Sequence, residues 1–221
     1  DICNVPVLAA TLIIITIDTF LLGMFFSRRK EFKTEYTIIF IAYLVKLLIM
    51  FFDIYGNNIF MLPNSGLDSV GFYKCAVSAS YKTSGYPAFL KLLYLLFGPN
   101  RIFFQYFNVL CSVFSEILLL KILKKLNVSR KTSIITICFM SFLPNTMIIS
   151  SILLRESLMV FLNTVSLYYF MNYIIERKFK SFIISIIFII VSAYFHSSVI
   201  ILALVYSIIY IFLKDDKFII N

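Results

Sequence analysis

Seven apolar runs, separated by short polar segments, constrain most strongly what this chain can fold into. They lie near residues 5–26, 36–52, 102–120, 132–153, 157–175, 181–195 and 199–213. A helix needs roughly 20 apolar residues to cross the ~30 Å hydrocarbon core of a bilayer, and several runs approach that length. With 61% hydrophobic residues, the chain also carries more apolar surface than an ordinary water-soluble core can bury. We therefore expect an all-α, polytopic membrane helix bundle of about seven spans, forming a single transmembrane domain over residues 1–221.

The net charge indicates which partners to expect, and the first residue bears on whether the sequence is a piece of a longer protein. A net charge of +9 in a soluble protein would indicate nucleic acid, but here the basic residues lie between apolar runs, where they orient helices. We therefore expect membrane lipids and no nucleic acid as partners. The chain begins with Asp1 rather than Met, which indicates a processed or truncated piece of a longer protein.

The distribution of lysine and arginine predicts an orientation in the membrane. The loops at 28–33, 121–131, 177–180 and 214–217 hold 14 of the 20 basic residues, as expected if they face the cytoplasm. The start of the chain, the 62–100 segment, the Arg155–Glu156 pair and His196 then lie on the non-cytoplasmic side.

Residues 53–101 form the one long polar interruption and are predicted to be an external loop with interfacial helices. Two helices are expected in it, over residues 68–79 and 86–97. The second has Pro87 in its first turn and Gly98 and Pro99 at its end, which is the usual punctuation of a helix. At about 18 Å it is too short to cross a bilayer.

Four sequence segments resemble the C-type glycosyltransferases, a family of membrane enzymes that use polyprenyl-phosphate sugars and includes the protein O-mannosyltransferases and lipid A aminoarabinose transferases. They are LDSVGFYKCA, GYPAFLKLLYLLFGPN, NRIFFQYFNVL and SFLPNTMIISSILLRESLMVFL, together covering about residues 61–163. The positions that match the family pattern are Asp68, Tyr73, Ala76, Pro144 and Glu156. The family usually has one span before the external loop, whereas this chain has two.

The resemblance implies transfer of a sugar from a polyprenyl-linked donor to a glycan, lipid or protein acceptor. It further implies a bacterial cell membrane, with the active site on the external face. The segment YFHSSVI around His196 also resembles the polymerases of exopolysaccharide and O-antigen synthesis, so a polymerase is the alternative. A transporter of lipid-linked sugars would be expected to show internal repeats and paired broken spans, which the sequence does not suggest. A non-catalytic scaffold would tolerate loss of Asp68.

The implied displacement at an anomeric carbon needs a base for the acceptor hydroxyl and positive charge near the departing phosphate. In this interpretation Asp68 is the base, and Arg155 or a loop lysine grips the phosphate. The structural alternative for Asp68 is a turn or helix-cap residue following Gly66.

Six further residues are predicted to bind substrate. They are Tyr73, Lys74, Lys82, Arg155, Glu156 and His196. Arg155 and Glu156 would otherwise anchor a span end; as helical neighbours they should point apart rather than pair. His196 would otherwise be an interfacial side chain with a local partner.

The tyrosines of the loop have a structural alternative of their own. Tyr55, Tyr73, Tyr81 and Tyr86 could stack on a sugar, but anchoring at lipid headgroups is the favoured interpretation. The residues predict no metal site and no certain cofactor, although the resemblance leaves a divalent cation open.

Three charged residues lie inside predicted spans, where a charge normally finds a partner. Asp18, Lys46 and Glu116 fall at similar depths, about 10–15 Å from the cytoplasmic ends of their spans. We expect Lys46 to pair with Asp18 or Glu116 as a structural clamp, with a proton relay as the alternative.

Overall fold

The computed structural model describes residues 5–78 and 85–214, and within these ranges the chain is helical, without a strand. The α-helices are α1 (Val5–Ser27), α2 (Lys33–Tyr55), α3 (Val70–Val77), α4 (Tyr86–Phe97), α5 (Arg101–Lys125), α6 (Arg130–Phe142), α7 (Pro144–Ser151), α8 (Glu156–Glu176), α9 (Phe179–Phe195) and α10 (Ile200–Lys214). A π-helical turn, Ser65–Ser69, precedes α3, and a 3-10 turn, Ser197–Val199, precedes α10.

Four of these helices, α1, α2, α5 and α8, are long and apolar enough to cross a membrane. The number is five if α6 and α7 together form one bent span. With 17 and 15 residues, α9 and α10 are shorter than a span of ordinary length. The described chain is thus an all-helical protein with four to five helices of membrane-spanning length, as the apolar runs predict, whereas the number seven stays a prediction.

Helix boundaries follow the local chemistry of the chain. The side chain of Asn100 caps α5 by accepting a hydrogen bond from the backbone N–H of Phe103 at 3.3 Å, and Ser129 caps α6 in the same way. The helix predicted over residues 86–97 is confirmed as α4. It begins after Gly85 (φ 62°) and ends at Gly98 (φ 79°), two left-handed positions that favour glycine.

The chain divides into two compact units, Asp1–Leu158 and Met159–Asn221. The expectation of a single transmembrane domain stays a prediction. In the first unit, α2 packs against α1, α5, α6 and α7, and α5 also packs against α7. Fully buried side chains of Ile39, Tyr43 and Met50 from α2 meet Val109 and Val113 from α5. The two helices α2 and α5 therefore form the centre of this unit.

Polar side chains are buried along the same α2–α5 interface. The ammonium of Lys46 donates to the Glu116 carboxylate and, at 2.9 Å, to the Ser112 hydroxyl. The predicted pairing of Lys46 with Glu116 is therefore confirmed. Asp18 has another partner, because the Tyr106 hydroxyl donates to its carboxylate at 3.0 Å.

The apolar run at 132–153 is broken rather than continuous. Leu143 is extended (ψ 121°), as expected for a residue before proline, and α7 starts at Pro144 at an angle of 53° to α6. Met147, Ser150 and Ser151 are buried, which fixes α7 against its neighbours.

The second unit has an aromatic core. The rings of Phe170 and Tyr206 stack with centroids 3.9 Å apart, and Tyr173 and Phe182 pack beside them. The Ser166 hydroxyl donates to the Ser185 carbonyl at 2.8 Å, which joins α8 to α9.

Candidate functional site

Asp68 lies on the π-helical turn Ser65–Ser69, and its side chain is exposed. It lines an open pocket of about 500 Å³ together with Met61, Leu62, Asn64 and Gly66. The turn is tight at Gly66, where a Cβ atom would lie 2.4 Å from the Met61 sulfur. Asp68 thus faces a pocket that has both apolar and polar walls.

A buried polar cluster holds the turn Ser65–Ser69 in place. Asp53, which is 1% exposed, accepts hydrogen bonds from Ser65 through one carboxylate oxygen and from Gln105 (2.7 Å) and Arg101 (3.0 Å) through the other. The Arg101 guanidinium also donates to Ser69 at 3.2 Å. Because Ser65 and Ser69 are the first and last residues of the turn, both of its ends are tied to the cluster. Asp68 is therefore presented on a rigid support rather than on a loose loop.

Apolar side chains are exposed beside this pocket. Ile59, Phe60 and Met61 follow one another and are 85%, 61% and 56% exposed. Exposed apolar side chains in such a run are typical of contact with a membrane or a partner.

Helix α4 exposes apolar side chains on one face as well. It buries Tyr86, Leu90 and Tyr94, whereas Leu95 and Leu96 are exposed. An amphipathic helix with an exposed apolar face suits the membrane surface, which is the position the sequence predicts for it.

The two predicted binding residues of α3 differ in their surroundings. Tyr73 is half-buried, and its ring lies 5.8 Å from that of Tyr94 in an edge-to-face arrangement. Lys74 is exposed, six residues after Asp68 on the helix that continues from the turn. Lys74 therefore offers an exposed cationic group for a phosphate.

The prediction that Tyr86 contacts headgroups or sugar is wrong. The tyrosine is only 3% exposed, because it packs under α3 with its ring 5.3 Å from that of Phe72. Burial raises the pKa of its hydroxyl, which keeps the group neutral. Lys82 and Tyr81, which the sequence also assigns to this loop, lie outside the described residues.

Arg155 and Glu156 form an ion pair, with 3.5 Å between Arg155 Nε and a Glu156 carboxylate oxygen. The expectation that they point apart is wrong, because it assumed that both are helical. Helix α8 begins at Glu156, and Arg155 belongs to the bend that precedes it. From there its side chain can turn toward its neighbour.

The segment before this pair is buried although it is not helical. Ile152, Leu153 and Leu154 are 0–4% exposed, and the Asn108 side-chain amide donates to the carbonyls of Ile152 (2.9 Å) and Leu154 (2.8 Å). Buried non-helical backbone needs protein groups to supply its hydrogen bonds. Asn108 has this role here.

His196 belongs to the second unit and is exposed between α9 and the 3-10 turn. Its Nδ1 lies 2.9 Å from the Ser198 hydroxyl and 3.4 Å from the Ser198 backbone nitrogen. The histidine thus caps its own turn, as its structural alternative expects, and its Nε2 is turned away from these contacts.

Asp53 and Arg101, the centre of the buried cluster, were not predicted from the sequence. Asp53 is the first residue after the apolar run 36–52, and Arg101 immediately precedes the run 102–120. Opposite charges at matching ends of two runs are a usable signal, since antiparallel neighbours bring those ends together.

Within residues 5–78 and 85–214, no three histidine, cysteine, aspartate or glutamate side chains come close enough together to hold a metal ion.

Comparisons of the chain with protein-family models, curated proteins and solved structures found no match. The resemblance carried by Asp68 and its flanking residues therefore stays a prediction, and a functional assignment rests on the geometry of the site.

Proposed function

We propose that this chain is an integral-membrane glycosyltransferase. It would transfer a sugar from a polyprenyl-phosphate or polyprenyl-diphosphate donor to an acceptor on the non-cytoplasmic side. The observation that carries the proposal is Asp68, an exposed carboxylate on a turn fixed at Ser65 and Ser69, facing a pocket beside the apolar residues 59–61.

The proposed chemistry follows from the position of the carboxylate. The acceptor hydroxyl attacks the anomeric carbon, the bond from that carbon to the phosphate oxygen breaks, and the hydroxyl proton passes to Asp68. The polyprenyl phosphate leaves with the bonding electron pair, and a cation close to it stabilises the added charge. Lys74, Lys82 and Arg155 are the candidates for this cation.

The membrane arrangement that goes with this proposal has seven crossings, with α6 and α7 as one bent span and α9 and α10 as the last two. Residues 53–101 then face outward with α4 in the interface, so that a lipid-borne phosphate meets Asp68 at headgroup level. Glu156, Tyr73 and His196 remain candidate contacts for donor or acceptor.

A polymerase of the same donor class is the alternative, and it would use the same base. Transport of a lipid-linked sugar has less support. Transporters typically pair two broken spans, whereas the described residues contain one bent helix pair, at Pro144.

The test is Asp68→Asn in membranes that contain the full-length protein and a radiolabelled lipid-linked sugar. A general base contributes about 10²–10⁴-fold to a rate, so we expect transfer to fall by at least about 10²-fold. Because Asp68 is exposed, the substitution should change the free energy of unfolding of the protein by no more than ~0.5 kcal/mol.

The matched control is Glu176→Gln, which also removes one exposed carboxylate. Glu176 is the last residue of α8 and has no role in the proposed reaction. It should transfer sugar at the wild-type rate. Unchanged transfer by a well-expressed Asp68→Asn protein would refute the proposed base. Chains of many sugars in the wild-type product would favour the polymerase, and a single added sugar the transferase.

A further inference from the structure

A strongly basic pocket lies at the end of the first unit opposite to Asp68. It has a volume of about 390 Å³ and is formed by the loop between α1 and α2 and by the last turns of α5. Its charged lining residues are Arg28, Arg29, Lys30, Glu31, Lys121 and Lys124. Arg101 and Lys121 are 20 residues apart on α5, which places this pocket about 30 Å from the Asp53 cluster.

The charges of this pocket are not balanced by its own side chains. Glu31 is the one acidic residue of its lining, and Lys124 already binds it at 2.6 Å. The exposed side chains of Arg28, Arg29, Lys30 and Lys121 add four positive charges around the same space. Four neighbouring cations repel one another, so an anion placed between them is favoured.

An apolar groove lies next to the basic pocket. It has a volume of about 400 Å³ and runs between α1 and α5, lined by Leu21, Leu22, Phe25, Leu110, Phe114 and Ile117. Lys121 lines both spaces, so they lie next to each other at this residue. From Leu110 to Lys121 the groove follows α5 for about 16 Å, roughly the depth of one leaflet of a ~30 Å hydrocarbon core.

We propose that this site binds an anionic glycerophospholipid. Its headgroup phosphate lies among Arg28, Arg29, Lys30 and Lys121, and one acyl chain lies in the groove between α1 and α5. The arrangement matches that of a lipid in the leaflet. The basic pocket would hold the headgroup, the apolar groove would hold the chain, and the two lie on either side of Lys121. Asp18 lies toward the far end of the groove, where the Tyr106 hydroxyl binds its carboxylate.

The loops that form the basic pocket are those that the lysine and arginine distribution assigns to the cytoplasm. Anionic lipids attract basic residues at that surface by ~1 kcal/mol each. The site does not depend on the proposed glycosyltransferase activity, since it uses none of the residues assigned to that reaction.

The experiment uses the full chain, purified in neutral detergent and titrated with phosphatidylglycerol or phosphatidylcholine of the same acyl chains, with bound lipid counted by native mass spectrometry. We expect the wild type to bind phosphatidylglycerol more tightly than phosphatidylcholine. The triple variant Arg28→Gln/Arg29→Gln/Lys121→Gln loses three charges and should bind it on the order of 100-fold more weakly.

The control variant Lys131→Gln/Lys178→Gln/Lys180→Gln removes three exposed cations, at the start of α6 and around the start of α9, that do not line the pocket. It should bind phosphatidylglycerol as the wild type does. Soluble glycerol phosphate in large excess should not displace the lipid, because it lacks the acyl chain. Equal binding of both lipids, equal weakening by the two triple variants, or displacement by glycerol phosphate would each overturn the proposal.

Discussion

At the scale of single residues, two charge pairs hold the α2–α5 interface, and α2 provides the cation of one pair and the anion of the other. On α2, Lys46 precedes Asp53, and their partners on α5 are Glu116 and Arg101 respectively. The later residue of α2 therefore pairs with the earlier residue of α5, which fixes the two helices as antiparallel and in one register. A shift by one turn in either direction would separate both pairs and leave buried ions without their counter-charges.

The Lys46–Glu116 pair gives a prediction about stability. Lys46→Met leaves the buried Glu116 carboxylate without its cation, and we expect a loss of about 3–5 kcal/mol in the free energy of unfolding. Replacing both residues, as Lys46→Met/Glu116→Leu, removes the uncompensated charge and should restore stability to within ~1 kcal/mol of the wild type.

Unfolding of the two single variants and the double variant in mixed micelles measures this coupling. If the losses of the single variants simply add in the double variant, the pair does not act as a clamp. Retained sugar transfer in the double variant would in addition argue against a proton relay through these residues.

The two charge pairs also differ in how far the sequence could predict them. Lys46 and Glu116 lie well inside apolar runs, so their equal depth was visible and their pairing could be predicted. Asp53 and Arg101 lie at the boundary between a run and the polar loop, where charge is ordinary and no partner is demanded. Only the three-dimensional arrangement shows that the Asp53 carboxylate is buried and supports the turn that carries Asp68.

At the scale of elements, the connection between α7 and α8 depends on a side chain of another helix. The carbonyls of Ile152 and Leu154 are buried and accept hydrogen bonds from Asn108 of α5. A buried carbonyl that loses its donor costs ~1–3 kcal/mol. Asn108 of α5 thus adds to the local hydrogen bond from the Leu154 backbone N–H to the Ile152 carbonyl (3.0 Å) in holding this connection.

We predict that Asn108→Leu destabilises the protein by about 2–4 kcal/mol and accelerates amide hydrogen exchange in residues 152–156. The control is Ser115→Ala, about two turns further along α5. Its hydroxyl donates to the Cys111 carbonyl of the same helix. Its exchange in residues 152–156 should match the wild type. Equal exchange in all three proteins would show that the connection is held by other contacts.

Helices whose ends are marked by glycine or proline could be predicted from the sequence, whereas bends that depend on packing could not. Gly85, Pro87 and Gly98 define α4, and its bounds agree with the sequence interpretation. The run at 132–153 contains Pro144, which indicates an interruption, but the 53° bend and the burial of α7 depend on neighbouring helices. The Arg155–Glu156 ion pair was missed because Arg155 lies in the bend before α8 and not on the helix.

At the scale of the whole molecule, the proposed orientation makes a prediction about accessibility. The exposed side chains of Lys74 on α3 and Lys131 on α6 should lie on opposite sides of the membrane. In a background without the native cysteines, Lys74→Cys should react with a membrane-impermeant maleimide in intact cells. Lys131→Cys should react only after the cells are permeabilised.

Reaction of both positions from the same side would contradict the orientation and with it the external location of Asp68. The variant Glu176→Cys, at the end of α8 next to the loop 177–180 that is assigned to the cytoplasm, serves as the control and should behave as Lys131→Cys does.

The separation of Lys46 and Glu116 in the chain has a consequence for biosynthesis. The two residues are 70 positions apart, so α2 leaves the ribosome long before α5 exists. During that interval a lysine near the middle of a newly inserted helix costs ~2.5–3.5 kcal/mol, which the apolar residues around it must outweigh. Arrival of α5 supplies the counter-charge, so we expect the two helices to associate as soon as α5 is inserted.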